Sequence, residues 1–97
     1  MKTTSELEVV TDFKLKNKVV IHPNDGVDID LMNSCYIVTF STILTPEKET
    51  FQGELCQSND CKYQTIMISP GLWQKIGKLK KIKLAISDDK KTIFIIK

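Results

Sequence analysis

Arginine is absent from this chain of 97 residues, so all 14 basic side chains are lysine. Arginine carries the planar fork that grips guanine edges and phosphates at two points, whereas lysine offers a mobile point charge. A nucleic-acid reader built from lysine alone leans on phosphate contacts and discriminates bases weakly. Histidine is nearly absent too, and His22 is the single one. The four glycines, Gly26, Gly53, Gly71 and Gly77, are scattered singly, which excludes a glycine-rich phosphate loop. Three cysteines are too few for a disulfide scaffold, and any pairing leaves one over. No run approaches the roughly 20 apolar residues of a membrane helix. The first residues, Met1 to Glu6, contain no apolar stretch of the kind a secretory signal needs. The expectation is a cytoplasmic protein with no membrane partner.

What is present fits one globular domain over residues 1–97. Hydrophobic residues make up 41% and charged residues 27%, an ordinary balance for a packed core. The formal net charge of +2 hides a division along the chain. Residues 1–61 carry five lysines against ten acidic residues, and residues 62–97 carry nine lysines against Asp88 and Asp89. Such asymmetry points either to polyanion binding or to attraction between the two halves of one fold.

Hydrophobic periodicity is mostly that of β-structure. Leu7, Val9, Thr11, Phe13 and Leu15 alternate with polar neighbours and predict a strand over about 6–16. Val19-Val20-Ile21 is a short β-branched run stopped by Pro23-Asn24-Asp25-Gly26, which reads as a turn. Val27, Ile29 and Leu31 alternate with Asp28 and Asp30, as in an edge strand. Residues 35–44, 50–57 and 63–68 predict three further strands, and Gly53 within the second marks a bulge or a close backbone approach. Ser69-Pro70 is a cap followed by proline at the first helical position, and Leu72, Ile76 and Leu79 share one helical face. Ile82 to Ile86 and Thr92 to Ile96 flank the Ser87-Asp88-Asp89-Lys90 turn as a hairpin. No clear internal repeat is legible. The fold expected is mainly β: a small antiparallel barrel or rolled sheet of six to eight short strands with one short helix near 70–77.

Catalytic chemistry has little to draw on. His22 stands alone before Pro23, and Asp25, Asp28 and Asp30 lack the glutamate that closes a calcium loop. The chain is expected not to be an enzyme and to need no cofactor. Cys56 and Cys61 flank a four-residue loop, so they allow a disulfide, and with Cys35 and His22 they make up a Cys₃His zinc set on paper. Free thiols in a reducing compartment, with no metal, are the default expectation. The strongest functional cue is the run of Lys75, Lys78, Lys80, Lys81 and Lys83. These lysines are the candidate nucleic-acid-binding residues, with Tyr63 or Trp73 as candidate stacking platforms. A solvated face that complements the end of a short helix is the competing account.

The order strand, proline-started short helix, glycine, strand, acidic turn, strand over residues 62–97 resembles the SpoVT/AbrB swapped-hairpin pattern. Ile68-Ser69-Pro70, Leu72, Ile76-Gly77 and Ile82 to Ile96 carry the likeness. The resemblance implies a dimeric DNA-binding regulator with hairpins interleaved between two chains. Lys78-Leu79-Lys80-Lys81 stands where that family usually turns through Gly-Asp. The function expected is a small non-catalytic binding domain whose lysine-rich last third contacts nucleic-acid phosphates. The alternative is a protein-binding module or inhibitor, a class that includes small virus-encoded proteins, docking by a sheet edge or by complementary charge.

Overall fold

The computed structural model describes residues 2–42 and 49–96. Eight strands and two short helices follow one another: β1 (Lys2–Thr3), β2 (Leu7–Thr11), β3 (Lys18–Ile21), α1 (Pro23–Val27), β4 (Cys35–Thr42), β5 (Glu49–Gln57), β6 (Thr65–Ile68), α2 (Pro70–Lys75), β7 (Lys81–Ile86) and β8 (Thr92–Ile96). Strands β7, β2, β6, β3, β5, β4 and β8 pair in that order, and β8 returns to β7, closing a seven-stranded barrel. The extra strand, β1, continues β2 along the same edge of β7. Thr4 bridges the break: its amide donates to the Leu84 carbonyl (2.8 Å) and its hydroxyl accepts from the Leu84 amide (3.0 Å).

The small barrel with its Ser69-capped helix is the expected architecture, but its sheet is mixed rather than purely antiparallel. β2 runs parallel to β6, β3 to β5 and β4 to β8. Parallel neighbours require a crossover between them. Here the crossover from β3 to β5 runs through α1 and β4. The turn and edge strand expected over residues 23–31 are instead α1 and the turns that follow it, with Ile29 and Leu31 buried. Proline at the first helical position and a capping acceptor on His22, whose Nδ1 takes the Asn24 amide at 3.0 Å, start this helix. β2 ends at Thr11, short of the expected residue 16, because Asp12 caps a turn through its bond from the Lys14 amide. The expected strand end at 43–44 and the turn at 45–48 lie outside the described residues.

The pairing pattern contains an internal two-fold relation that the sequence reading missed. A shift of 47 residues takes Pro23 to Pro70 and β3 onto β6. Val20 pairs with its own counterpart Met67 across the antiparallel β3–β6 contact, so the axis passes through that pair. The Glu54 amide bonds the Asn17 carbonyl and the Glu8 amide bonds the Gln64 carbonyl, each at 2.9 Å. The Ser58 amide bonds Ile21 as the Asp12 amide bonds Ile68. By these equivalences β5 corresponds to β2 and β4 to β7, and β8 fills the gap between the two halves. The likeness over 62–97 spans β6, α2 and β7 of the second half together with the bridging β8; its β7–β8 hairpin packs against β4 of its own chain.

Alternation fills the interior. Val19 and Ile21, Val38 and Phe40, Ile66 and Ile68, Ile82 and Leu84, and Ile93 and Ile95 point inward from successive strands. Ile29, Leu31, Leu72 and Ile76 join the same core from the helices and their flanks. Gly53 faces inward between them. A Cβ there would lie 2.5 Å from the Asn17 carbonyl oxygen and 2.8 Å from the Phe40 ring. This is the close backbone approach expected at that glycine. Gly53→Ala therefore forces backbone apart and is expected to destabilise the fold by about 1–3 kcal/mol, read as a lowered urea midpoint.

Candidate functional site

All five candidate lysines are exposed, and three successive pieces of the chain, α2, the connection after it and β7, place them. Lys75 ends α2, where Ser69 caps the first turn by accepting from the Leu72 amide at 3.1 Å. Gly77 (φ +81°) and Lys78 (φ +57°) take left-handed backbone, and the Lys78 amide returns to the Trp73 carbonyl at 2.8 Å. This helix ending turns the chain sharply. It leaves Lys78 and Lys80 on the connection to β7. Lys81 and Lys83 then occupy the outward positions of β7, because Ile82 and Leu84 take the core.

The electrostatics of the five are uneven. Lys81 lies 3.6 Å from a Glu6 carboxylate oxygen, so one lysine does meet the acidic first half. Among the described residues no carboxylate lies within ion-pairing distance of the other four. Lys75 instead holds its ammonium 5.2 Å from the Phe51 ring centre, and Lys78 holds its own 6.0 Å from that of Trp73. Such exposed cation–ring contacts are worth about 0.5–1 kcal/mol, too little to detain a lysine from a phosphate.

Two clefts stand at two-fold-related places. The larger, about 560 Å³, brings Lys62, Lys81 and Tyr63 together with Glu6 and Glu8. The smaller, about 250 Å³, is lined by Lys16, Lys75, Phe51 and Leu72 and, among the described residues, by no acid. Lys16 is the residue sequence reasoning missed. It lies in the first half, far along the chain from the lysine run, and joins Lys75 only because Lys16-Asn17 is the counterpart of Tyr63-Gln64. The stacking candidates separate as well. Tyr63 is half exposed, packs edge-on to His22 and lines the larger cleft. Trp73 is partly buried, with its indole N–H donating to the Leu79 carbonyl at 3.0 Å.

The cysteines depart from expectation. Cys35 and Cys56 form a disulfide across the β4–β5 hairpin, in place of three free thiols or a Cys56–Cys61 bond. A sequence signal existed: the midpoint of 35 and 56 falls at Thr45-Pro46, the expected hairpin turn. Cys61 is free and fully buried, 3.3 Å from the Thr65 carbonyl oxygen and 3.6 Å from that of Val20. Burial, aided by the nearby Asp25 carboxylate, pushes its thiol up to about 11. A Cys₃His zinc set does not assemble, because His22 spends its Nδ1 on capping α1 and Cys61 faces backbone carbonyls. Reduced native protein is expected to react with a thiol reagent at pH 8 at Cys35, and at Cys61 only after unfolding; peptide mapping of the label checks this.

Asp25, expected on an exposed turn, is fully buried within α1. One carboxylate oxygen accepts from the Gln64 amide at 2.8 Å and the other has no partner among the described residues. Burial raises its pKa above the ordinary carboxylate value, and the bond from Gln64 offsets this only in part. A raised carboxyl pKa means the folded state holds its proton more tightly than the unfolded chain. Its contribution to stability is therefore present below the unfolded value and is lost as pH rises through the folded one. Asp25→Asn keeps an oxygen for Gln64 and removes this loss. The stability of the variant relative to the parent is expected to grow as pH rises above about 4 and then level off, in urea titrations across that range.

Comparison of the chain with family models, with curated proteins and with solved structures finds no match.

Proposed function

We propose that this chain is a small non-catalytic binding domain that engages phosphate polyanions, nucleic acid foremost, through Lys75, Lys78, Lys80, Lys81 and Lys83 together with Lys16. The observation that carries this reading is the shortage of internal counter-charge. Along the α2–β7 stretch, only Lys81 has a carboxylate partner among the described residues. A protein that used these lysines to hold its own halves together would pair more of them. Lysine-only contacts favour phosphate over base edges, so selectivity for sequence is weak and affinity falls steeply with salt.

A second reading, docking to a protein, is favoured by Met32 and Ile37, which are 87% and 84% exposed. For sheet-edge docking the described residues offer partial edges: β4 pairs β8 only over Thr39–Thr42 and β5 pairs β3 only over Glu54–Gln57, so the first part of each strand has a ladder partner on one side alone.

Anisotropy titrations against duplex and single-stranded oligonucleotides at 50–200 mM salt test the first reading. Each duplex phosphate contact removed is expected to lower the slope of log affinity against log salt by about 0.9. Lys75→Glu with Lys80→Glu therefore flattens the slope and weakens binding, whereas Lys91→Glu on the β7–β8 turn leaves both nearly unchanged. Equal binding by the double variant and the parent overturns the reading.

A further inference from the structure

The outer face of the β4–β5 hairpin gathers three metal-binding side chains that the lysine face does not involve. Cys35 stands directly opposite Cys56, with Cα atoms 4.1 Å apart. The neighbouring Gln57 amide bonds the Ser34 carbonyl at 2.7 Å, so the cysteines occupy the narrow, non-hydrogen-bonded position of the ladder. Along β5, Gly53 and Leu55 point inward, which turns Glu54 and Cys56 to the same outer face. One donor atom from each of Cys35, Glu54 and Cys56 lies within 4.8 Å of the others. Around a zinc ion, with bonds of about 2.0–2.3 Å, tetrahedral donors sit about 3.5 Å apart. Side-chain rotation covers the difference. Cys35 and Cys56 border a hollow of about 370 Å³ that also includes Lys18, which pairs in register with Glu54 on the neighbouring strand. Its ammonium offsets part of the charge of two thiolates and a carboxylate.

We propose that the reduced chain binds a zinc-class divalent cation through Cys35, Cys56 and Glu54, and that the Cys35–Cys56 disulfide is the metal-free, oxidised form of the same site. A dithiol reductant cleaves the S–S bond. Two electrons and two protons pass to the cysteines, and the reductant becomes its own disulfide. Zinc then replaces the two thiol protons, forming two Zn–S bonds and one bond to the Glu54 carboxylate. Three protein ligands leave the fourth position to water. Cys35 is exposed while Cys56 is buried beside it, so reductant attacks the bond from the Cys35 side and metal enters past that sulfur. The two states exclude each other because they use the same sulfur valences.

Anaerobic titration of the reduced full chain with Co²⁺, after the reductant is removed by gel filtration, tests this. The expected result is one Co²⁺ per chain, with a thiolate charge-transfer band that Zn²⁺ abolishes and that the oxidised chain never shows. Cys35→Ser and Cys56→Ser each lose the band, Glu54→Gln binds more weakly, and Cys61→Ser keeps the band. Cys35→Ser alters an exposed position and decides the matter should the Cys56 variant fail to fold. No band in the reduced parent overturns the proposal. So does a band that survives Cys35→Ser, or a Glu54→Gln chain that binds as tightly as the parent.

Discussion

Closure of the sheet by β8 is the constraint on which the rest of the molecule depends. β8 lies parallel to β4 and antiparallel to β7, and it joins two half-barrels that would otherwise end in open edges. An open edge exposes a row of unpaired backbone groups. Closure removes that row and encloses a core of alternating Val, Ile, Leu and Phe side chains. With the interior filled, charged side chains have only the outer face and the connections to occupy. The lysines of β7 and the donor group on β5 are outward for the same reason: their neighbours on the strand are inward.

The two-fold relation shows how one scaffold supports different chemistry at equivalent places. Each half opens with a strand, a capped proline and a short helix, yet the caps are His22 and Ser69. Buried Asp25 in α1 corresponds to buried Leu72 in α2. The first pins a turn through the Gln64 amide, and the second simply fills the core. Tyr63 in one cleft corresponds to Lys16 in the other, and Glu6 to Gln52. The result is one mixed cleft and one whose charges, among the described residues, are all positive. A few exchanges, Asp25 for Leu72 in the interior and Glu6 for Gln52 and Tyr63 for Lys16 at the clefts, are enough to separate them.

Much of the architecture was legible because period-two alternation and cap chemistry are local. The strands near 19–21, 35–42, 49–57, 65–68, 82–86 and 92–96 and the helix at Ser69-Pro70 follow from neighbouring residues alone. The helix at Pro23 was missed because Pro-Asn-Asp-Gly is equally good turn chemistry. Residues that bury it, Ile29 and Leu31, mimic a strand by alternating with aspartates. The repeat was missed because the 47-residue shift preserves backbone pairing more than residue identity. Ile21-His22-Pro23 and Ile68-Ser69-Pro70 are its plainest trace.

By itself the sequence determined the β-rich class, the second helix and the lysine-only basicity. These are properties of residue type and short-range spacing. Tertiary structure alone decided which strands run parallel, that Cys35 rather than Cys61 partners Cys56, that Lys16 joins Lys75, and that Asp25 is buried. Each of these joins residues tens of positions apart. Nothing in local propensity sets such pairings; they follow from the register in which a closed sheet buries every inward side chain at once.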